Sequence, residues 1–156
     1  MKNINEIMDM LDWNNDIVIQ EKGRRLASEV KCLKIFMQPC DKQYNKNVWE
    51  NCALIICKHK DEILQPYLFD LLNWLQDLNW PGTHVILDRL KKFKNYTMLA
   101  FAICESVKIA QATDNDLWLY GMSELLVQEK LLEYLDTKAR SILEGYRGNQ
   151  NYESIK

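Results

Sequence analysis

The residues able to do chemistry are few. The chain holds two histidines, His59 and His84. His84 stands four residues before Asp88, so on a helix the two share a face and could ligate a metal or pass a proton. The same spacing also describes an ordinary surface contact, the more frequent case. His59 lies between Lys58 and Lys60 at what reads as a helix end, where cations complement the helix dipole. The carboxylate pairs Glu129/Glu133 and Asp114/Asp116 fall on solvated faces or turns with no supporting context. The five cysteines, Cys32, Cys40, Cys52, Cys57 and Cys104, contain no CxxC pair and no Cys/His set with zinc spacing. Three of them sit on apolar helical faces, where Cys is a small core residue. No HExxH, GxSxG, P-loop or GxGxxG occurs. These readings point away from an enzyme and assign no cofactor and no metal.

Arg89, Lys91, Lys92 and Lys94 form the densest basic run and could contact phosphate. Asp88 interrupts it, and the whole chain carries a net charge of −2. Residues 95–156 hold six basic and nine acidic side chains, so the acidic excess is C-terminal. That balance argues against nucleic acid as the partner. A nucleic-acid- or nucleotide-acting enzyme using the Arg89–Lys94 patch is kept as the alternative.

Elements must position these groups. With 156 residues, 47% of them apolar, the chain is long enough for one domain with a sizeable core. Five Gly and three Pro imply long helices and short connections. No run reaches the ~20 apolar residues that cross a bilayer. No secretory signal is visible, and the odd cysteine number suits reduced thiols, so a cytoplasmic protein is expected.

The hydrophobic spacing is helical throughout. Helices are expected over Ile4–Trp13 and from Ile17 to about Phe36, the second with Leu26, Val30, Leu33 and Met37 inward. Asn47 is expected to cap a helix over Val48–Lys58, and Pro66 to sit in the first turn of one running to Leu78. Pro81 opens the next. Tyr96–Ala112, apolar nearly all round in its first half, reads as covered on more than one side. Leu117–Gln128 and Leu131–Tyr146 complete the set. Residues 1–148 are taken as one domain and 149–156 as a frayed tail. Helices starting near Val48, Pro81 and Asp116 recur at roughly 33 to 35 residues, as do their partners near Leu64, Tyr96 and Leu131. The fold class is therefore all-α, a short right-handed α-solenoid-like array of helical hairpins.

The richest stretch is Leu71–Gly82, LLNWLQDLNWPG. Asn79 could cap the next helix, Pro81 suits a first turn, and Asp77 could hold loop amides. Trp74 sits off the centre of the leucine stripe, so it is expected to be partly exposed or to face the next repeat. Indoles combine apolar area with a donor, which favours them at contact hot spots. Trp74, Asp77, Asn79 and Trp80 are thus the candidate partner-binding residues.

The segments NVWENCALII (47–56), LQPYLFDLLNWLQDLNWPG (64–82) and LDRLKKF (87–93) resemble a bacterial family of unknown function with a HEAT-repeat-like helical fold. DWN at Asp12–Asn14 and FMQP at Phe36–Pro39 fit as well, and the resemblance covers roughly residues 10–130. It implies the HEAT-like fold and no activity. The expectation is a non-catalytic module recognising an unknown protein partner, in one version an immunity- or antitoxin-like protein.

Overall fold

The computed structural model describes residues 2–41 and 43–147; the tail expected over 149–156 lies outside them, as does Gly148. Among the described residues every regular element is helical. In chain order these are α1 (Ile4–Met10), α2 (Ile17–Ala27), α3 (Lys46–Ile56), α4 (Asp61–Leu64), α5 (Leu68–Asn73), α6 (Thr83–Lys91), α7 (Tyr96–Ala112), α8 (Asp116–Ser123), α9 (Glu129–Leu132) and α10 (Thr137–Tyr146). Tight 3-10 segments at Leu33–Phe36, Gln65–Tyr67, Trp74–Gln76 and Glu124–Val127 extend or join them. No helix among the described residues is long and apolar enough to cross a membrane.

The inward stripes fall largely where the spacing puts them. Trp49, Cys52, Ala53 and Ile56 of α3 are buried, as are Leu99, Ala102, Ile103, Val107 and Ala110 of α7. α1 packs on α2, and α2 on α3. α3 packs on α6, and α6 on Glu124–Val127; α5 packs on α7, which also meets α8 and α10. One apolar cluster runs through all of them.

Several helices are shorter than their periodicity. The one expected to reach Phe36 ends at Ala27. Its last amides turn to i−3 carbonyls, with Glu29 N donating to Leu26 O and Val30 N to Ala27 O, which tightens the chain out of the α form. Leu33 is buried from a separate 3-10 turn, while Leu26, Val30 and Met37 are only half-buried. The helix up to Leu78 is broken into α4, two 3-10 segments and α5; the first break, at Gln65–Tyr67, holds Pro66, which has no N–H to continue the ladder. The stretch Leu131–Tyr146 is interrupted before α10, whose N-cap is Asp136; its carboxylate accepts from Ala139 N at 2.7 Å.

The cap of α3 is Asn45, which accepts from Lys46 N, not Asn47. Asn47 is spent on the neighbouring corner. Its Nδ2 donates to Asp12 Oδ2 at 3.0 Å, and its carbonyl accepts from Trp13 N. Asp12 Oδ1 meanwhile accepts from Asn14 N at 2.9 Å. Behind this corner Asn51 is buried at 2% exposure and fully engaged. Its Nδ2 donates to Leu11 O and Gln20 Oε1, and its Oδ1 accepts from Arg24. A buried amide satisfied in this way fixes one relative placement of α1, α2 and α3.

Two outcomes follow. At Gly121 of α8, a Cβ would stand 2.1 Å from the carbonyl oxygen of Leu75. Gly121→Ala is expected to cost about 2–3 kcal/mol of stability by overpacking, read as a lower urea midpoint at unchanged slope; an unmoved midpoint would refute the close approach. Asp12 has its pKa held below 3.8, chiefly by the Asn14 amide, against partial desolvation. A carboxylate with a lowered folded pKa stabilises above its unfolded value, and that stability is lost as pH falls through the folded one. Asp12→Asn is therefore expected to flatten the loss of stability below about pH 4, measured by urea titration across that range.

Candidate functional site

The corner at residues 74–83 is built by hydrogen bonding between its own residues and α3. After the 3-10 segment Trp74–Gln76, Asp77 leaves the helix in an extended conformation. Its Oδ1 accepts from Asn79 N at 2.8 Å, and its carbonyl accepts from Trp80 N at 3.1 Å, a side-chain-assisted turn of the kind Asp favours. A second turn follows over Trp80–Thr83, closed by Thr83 N donating to Trp80 O at 3.1 Å. Gly82 sits in it at φ 84, ψ −11, the left-handed third position of a type II turn, with Pro81 in the second. A side chain at Gly82 would also meet Ala53 Cβ at 2.7 Å and Trp49 O at 2.9 Å.

The N-cap expectation for Asn79 is corrected here. α6 begins at Thr83 and Gly82 holds the cap position, so Pro81 precedes the helix rather than opening it. The free amide of Gly82 is satisfied from another helix, by Glu50 Oε2 at 2.5 Å. Thr83 is fully buried, and its hydroxyl donates toward Trp74 O and Asp77 O at 3.2 and 3.0 Å.

The four candidate residues part company. Trp74 is buried at 0% exposure and packs against Trp49 of α3, so of the two alternatives expected for it partial exposure is the one corrected. Its ring fills the centre of the core, and its Nε1 donates to Pro81 O at 2.9 Å. Asp77 is half-buried and serves the turn, and Asn79 is exposed at its tip. Trp80 alone faces a cleft. It packs edge-on against Trp49 at 5.5 Å between ring centroids, while Trp49 packs edge-on against Trp74 at 6.1 Å. Lys46 Nζ stands 6.0 Å from the Trp80 ring centre.

The cleft is a groove of about 380 Å³ lined by Met37, Gln38, Cys40, Trp49, Asp70, Asn73 and Trp80. One lip is the loop after Leu33–Phe36. Met37 lies at φ −79, ψ 87, with Gln38 N donating to Phe36 O, an inverse γ-turn. Gln38 then adopts φ 46. A left-handed residue that is neither Gly nor Asn, and that precedes a proline, stores backbone strain. The Nε2 of Gln38 is buried with no hydrogen-bond partner. Cys40 is exposed and its thiol donates to Gln38 O at 3.1 Å, and Trp49 Nε1 ties the loop down through Pro39 O at 2.9 Å. The other lip is α5, with Asp70 paired to Lys34 Nζ at 2.6 Å.

Sequence reasoning missed Gln38, Trp49, Glu50, Asp70 and Thr83 as parts of this region. Phe36–Pro39 carried the available signal, since FMQP entered the sequence reading only as part of the family resemblance. Of the basic run, Arg89 is largely buried, donating to Asp61 Oδ1 at 2.5 Å and His59 O at 2.9 Å. His84 and Asp88 are exposed on α6. Burial pushes the Cys52 and Cys57 thiols up to about 12, so neither forms a thiolate readily. Among the described residues no group of three or more His, Cys, Asp or Glu side chains gathers to hold a metal ion.

No curated protein and no solved structure matches the chain. A family model described as Domain of unknown function (DUF5071) matches residues 37–145, a span that starts at the groove loop and takes in every groove-lining residue. That span is well over half of the sequence, and the chain belongs to the DUF5071 family.

Proposed function

We propose that this chain is a non-catalytic protein-recognition module and that the groove at Trp80 takes a segment of a partner protein. The observation that carries the reading is Gln38, held at φ 46 before a proline on the lip of that groove. Strained non-glycine backbone persists where its surroundings over-determine it, and it gathers at binding and catalytic sites. Trp80 adds a large, rigid, half-buried ring of the type that anchors interfaces, and Met37 adds an adaptable apolar one.

The HEAT-like, right-handed array of hairpins belongs to the same proposal. α3 rests on α6 and α6 on Glu124–Val127, while α5 rests on α7 and α7 on α10. First members stacking on first members, and second on second, is the order of a helical-hairpin solenoid. The specific form we favour is a cytoplasmic immunity- or antitoxin-like protein that masks a partner enzyme. A compact module with one strained groove suits such a task.

The rival reading, an enzyme acting on nucleic acid or nucleotide through Arg89–Lys94, has weaker support. Arg89 is committed to Asp61 and the His59 carbonyl, which leaves Lys91, Lys92 and Lys94 to contact phosphate.

The two readings separate by experiment. Affinity capture from a host extract, followed by titration of the retained protein, is run with the native chain and with Trp80→Ala verified as helical by circular dichroism. Trp80→Ala is expected to bind about 30-fold or more weakly, the loss typical of a central aromatic anchor; equal binding by both chains overturns the groove. For the rival, the native chain is expected to show no retention on nucleic acid at low salt. Retention that falls with salt and vanishes in Lys91→Ala/Lys92→Ala would replace our reading with that one.

A further inference from the structure

The basic run that closes α6 has a neighbour the linear sequence hides. Arg89 donates to the carbonyl of His59, just past the end of α3, at 2.9 Å, and to Asp61 Oδ1. The other oxygen of Asp61 accepts from Lys94 N at 2.9 Å. These bonds clamp residues 58–61 against residues 89–94. Lys58 and Lys60 thereby join Lys91, Lys92 and Lys94 in one patch. Lys91 is half-buried and the other four lysines are exposed. Among the described residues none of the five forms an ion pair with a carboxylate. The two helix ends account for only part of this charge. Each C-terminus carries about half a negative charge, so together they balance about one lysine. Arg89 and Asp61 cancel one another. Glu62 and Asp88, the remaining carboxylates of the two segments, balance two more lysines. A surplus of about two positive charges is left, on a chain whose net charge is −2. Like charges held together without counter-charges raise the local potential and attract an anionic partner.

We propose that this end of the fold docks a short acidic segment of a protein. Extent and composition choose that occupant among anions. A long polyanion such as nucleic acid reaches beyond the patch and meets the rest of the chain, where residues 95–156 hold six basic and nine acidic side chains. A short acidic segment responds mainly to the lysines beside it, because charges more than about 8–10 Å away are screened. The patch also has an apolar member. Ile63 of α4 is 51% exposed and lies one turn from Lys60, whose carbonyl accepts its amide at 3.0 Å. A protein segment can set an apolar side chain against Ile63 while its carboxylates meet the lysines, whereas a phosphate backbone brings nothing to cover it. None of the five lysines lines the groove at Trp80. The acidic dock goes beyond the recognition proposed there and does not rest on it.

The probe is a labelled peptide of about twelve residues, glutamate throughout except for a leucine at every fourth position, titrated with the full chain by fluorescence anisotropy. Binding is expected at about 20 mM salt and is expected to weaken about tenfold or more by about 200 mM. The same peptide with glutamine in place of glutamate is expected not to bind. Lys60→Glu/Lys92→Glu/Lys94→Glu, with its fold checked by circular dichroism, is expected to bind the acidic peptide about tenfold or more weakly. Lys22→Glu/Lys31→Glu/Lys138→Glu changes the net charge equally at exposed positions on other elements and is expected to bind like the native chain. No peptide binding at low salt overturns the proposal, as does an equal loss in both variants. Tighter binding of a short single-stranded oligonucleotide, or of vesicles of phosphatidylserine and phosphatidylcholine, also overturns it in favour of that partner. The native chain gives a further readout. The Ile63 methyl resonances are expected to shift as the peptide is added, and binding that leaves them unmoved places the contact elsewhere and overturns the dock.

Discussion

A buried indole must give its N–H an acceptor, and Trp74 gives it to the carbonyl of Pro81. That one bond spans the corner and fixes where the chain can turn back. Trp74 is at 0% exposure, so no water competes for the donor. Two other indoles act alike, Trp49 toward Pro39 O and Trp118 toward Leu72 O, each at 2.9 Å. In every case a side chain rooted in one segment donates to a backbone carbonyl of another.

The helical class and the inner stripes were legible because periodicity alone carries them. Leu71, Leu72, Leu75 and Leu78 are all buried, as their spacing requires. Boundaries were less legible. Nothing local to Asn47 shows that Asp12 will claim its side chain, and the two lie 35 residues apart. The site was the least legible part. Trp74 looked peripheral on a helical wheel because a wheel represents one helix. The side it presents is covered by α3 and by the turn before α6, neither of which the local sequence reveals.

Function and structure meet at the boundary between that corner and the loop before it. Three of the four polar and aromatic candidates serve mainly to shape the turn or stand at its tip, and Trp80 alone turns a face to the groove. The tryptophans therefore form a chain running from core to surface, Trp74 to Trp49 to Trp80. Packing rigidity at the inner end is transmitted to the ring at the outer end, and pre-organised rings lose little entropy on contact.

The strained peptide at Gln38 has a consequence for affinity. A left-handed, pre-proline residue costs about 1–3 kcal/mol to hold. A partner that lets the loop relax on docking would recover that energy as binding, about 5- to 150-fold in the dissociation constant. A partner that leaves Gln38 at φ 46 recovers none of it. The loop would then discriminate between partners by whether they release a bent segment of backbone, before any side chain of theirs is recognised.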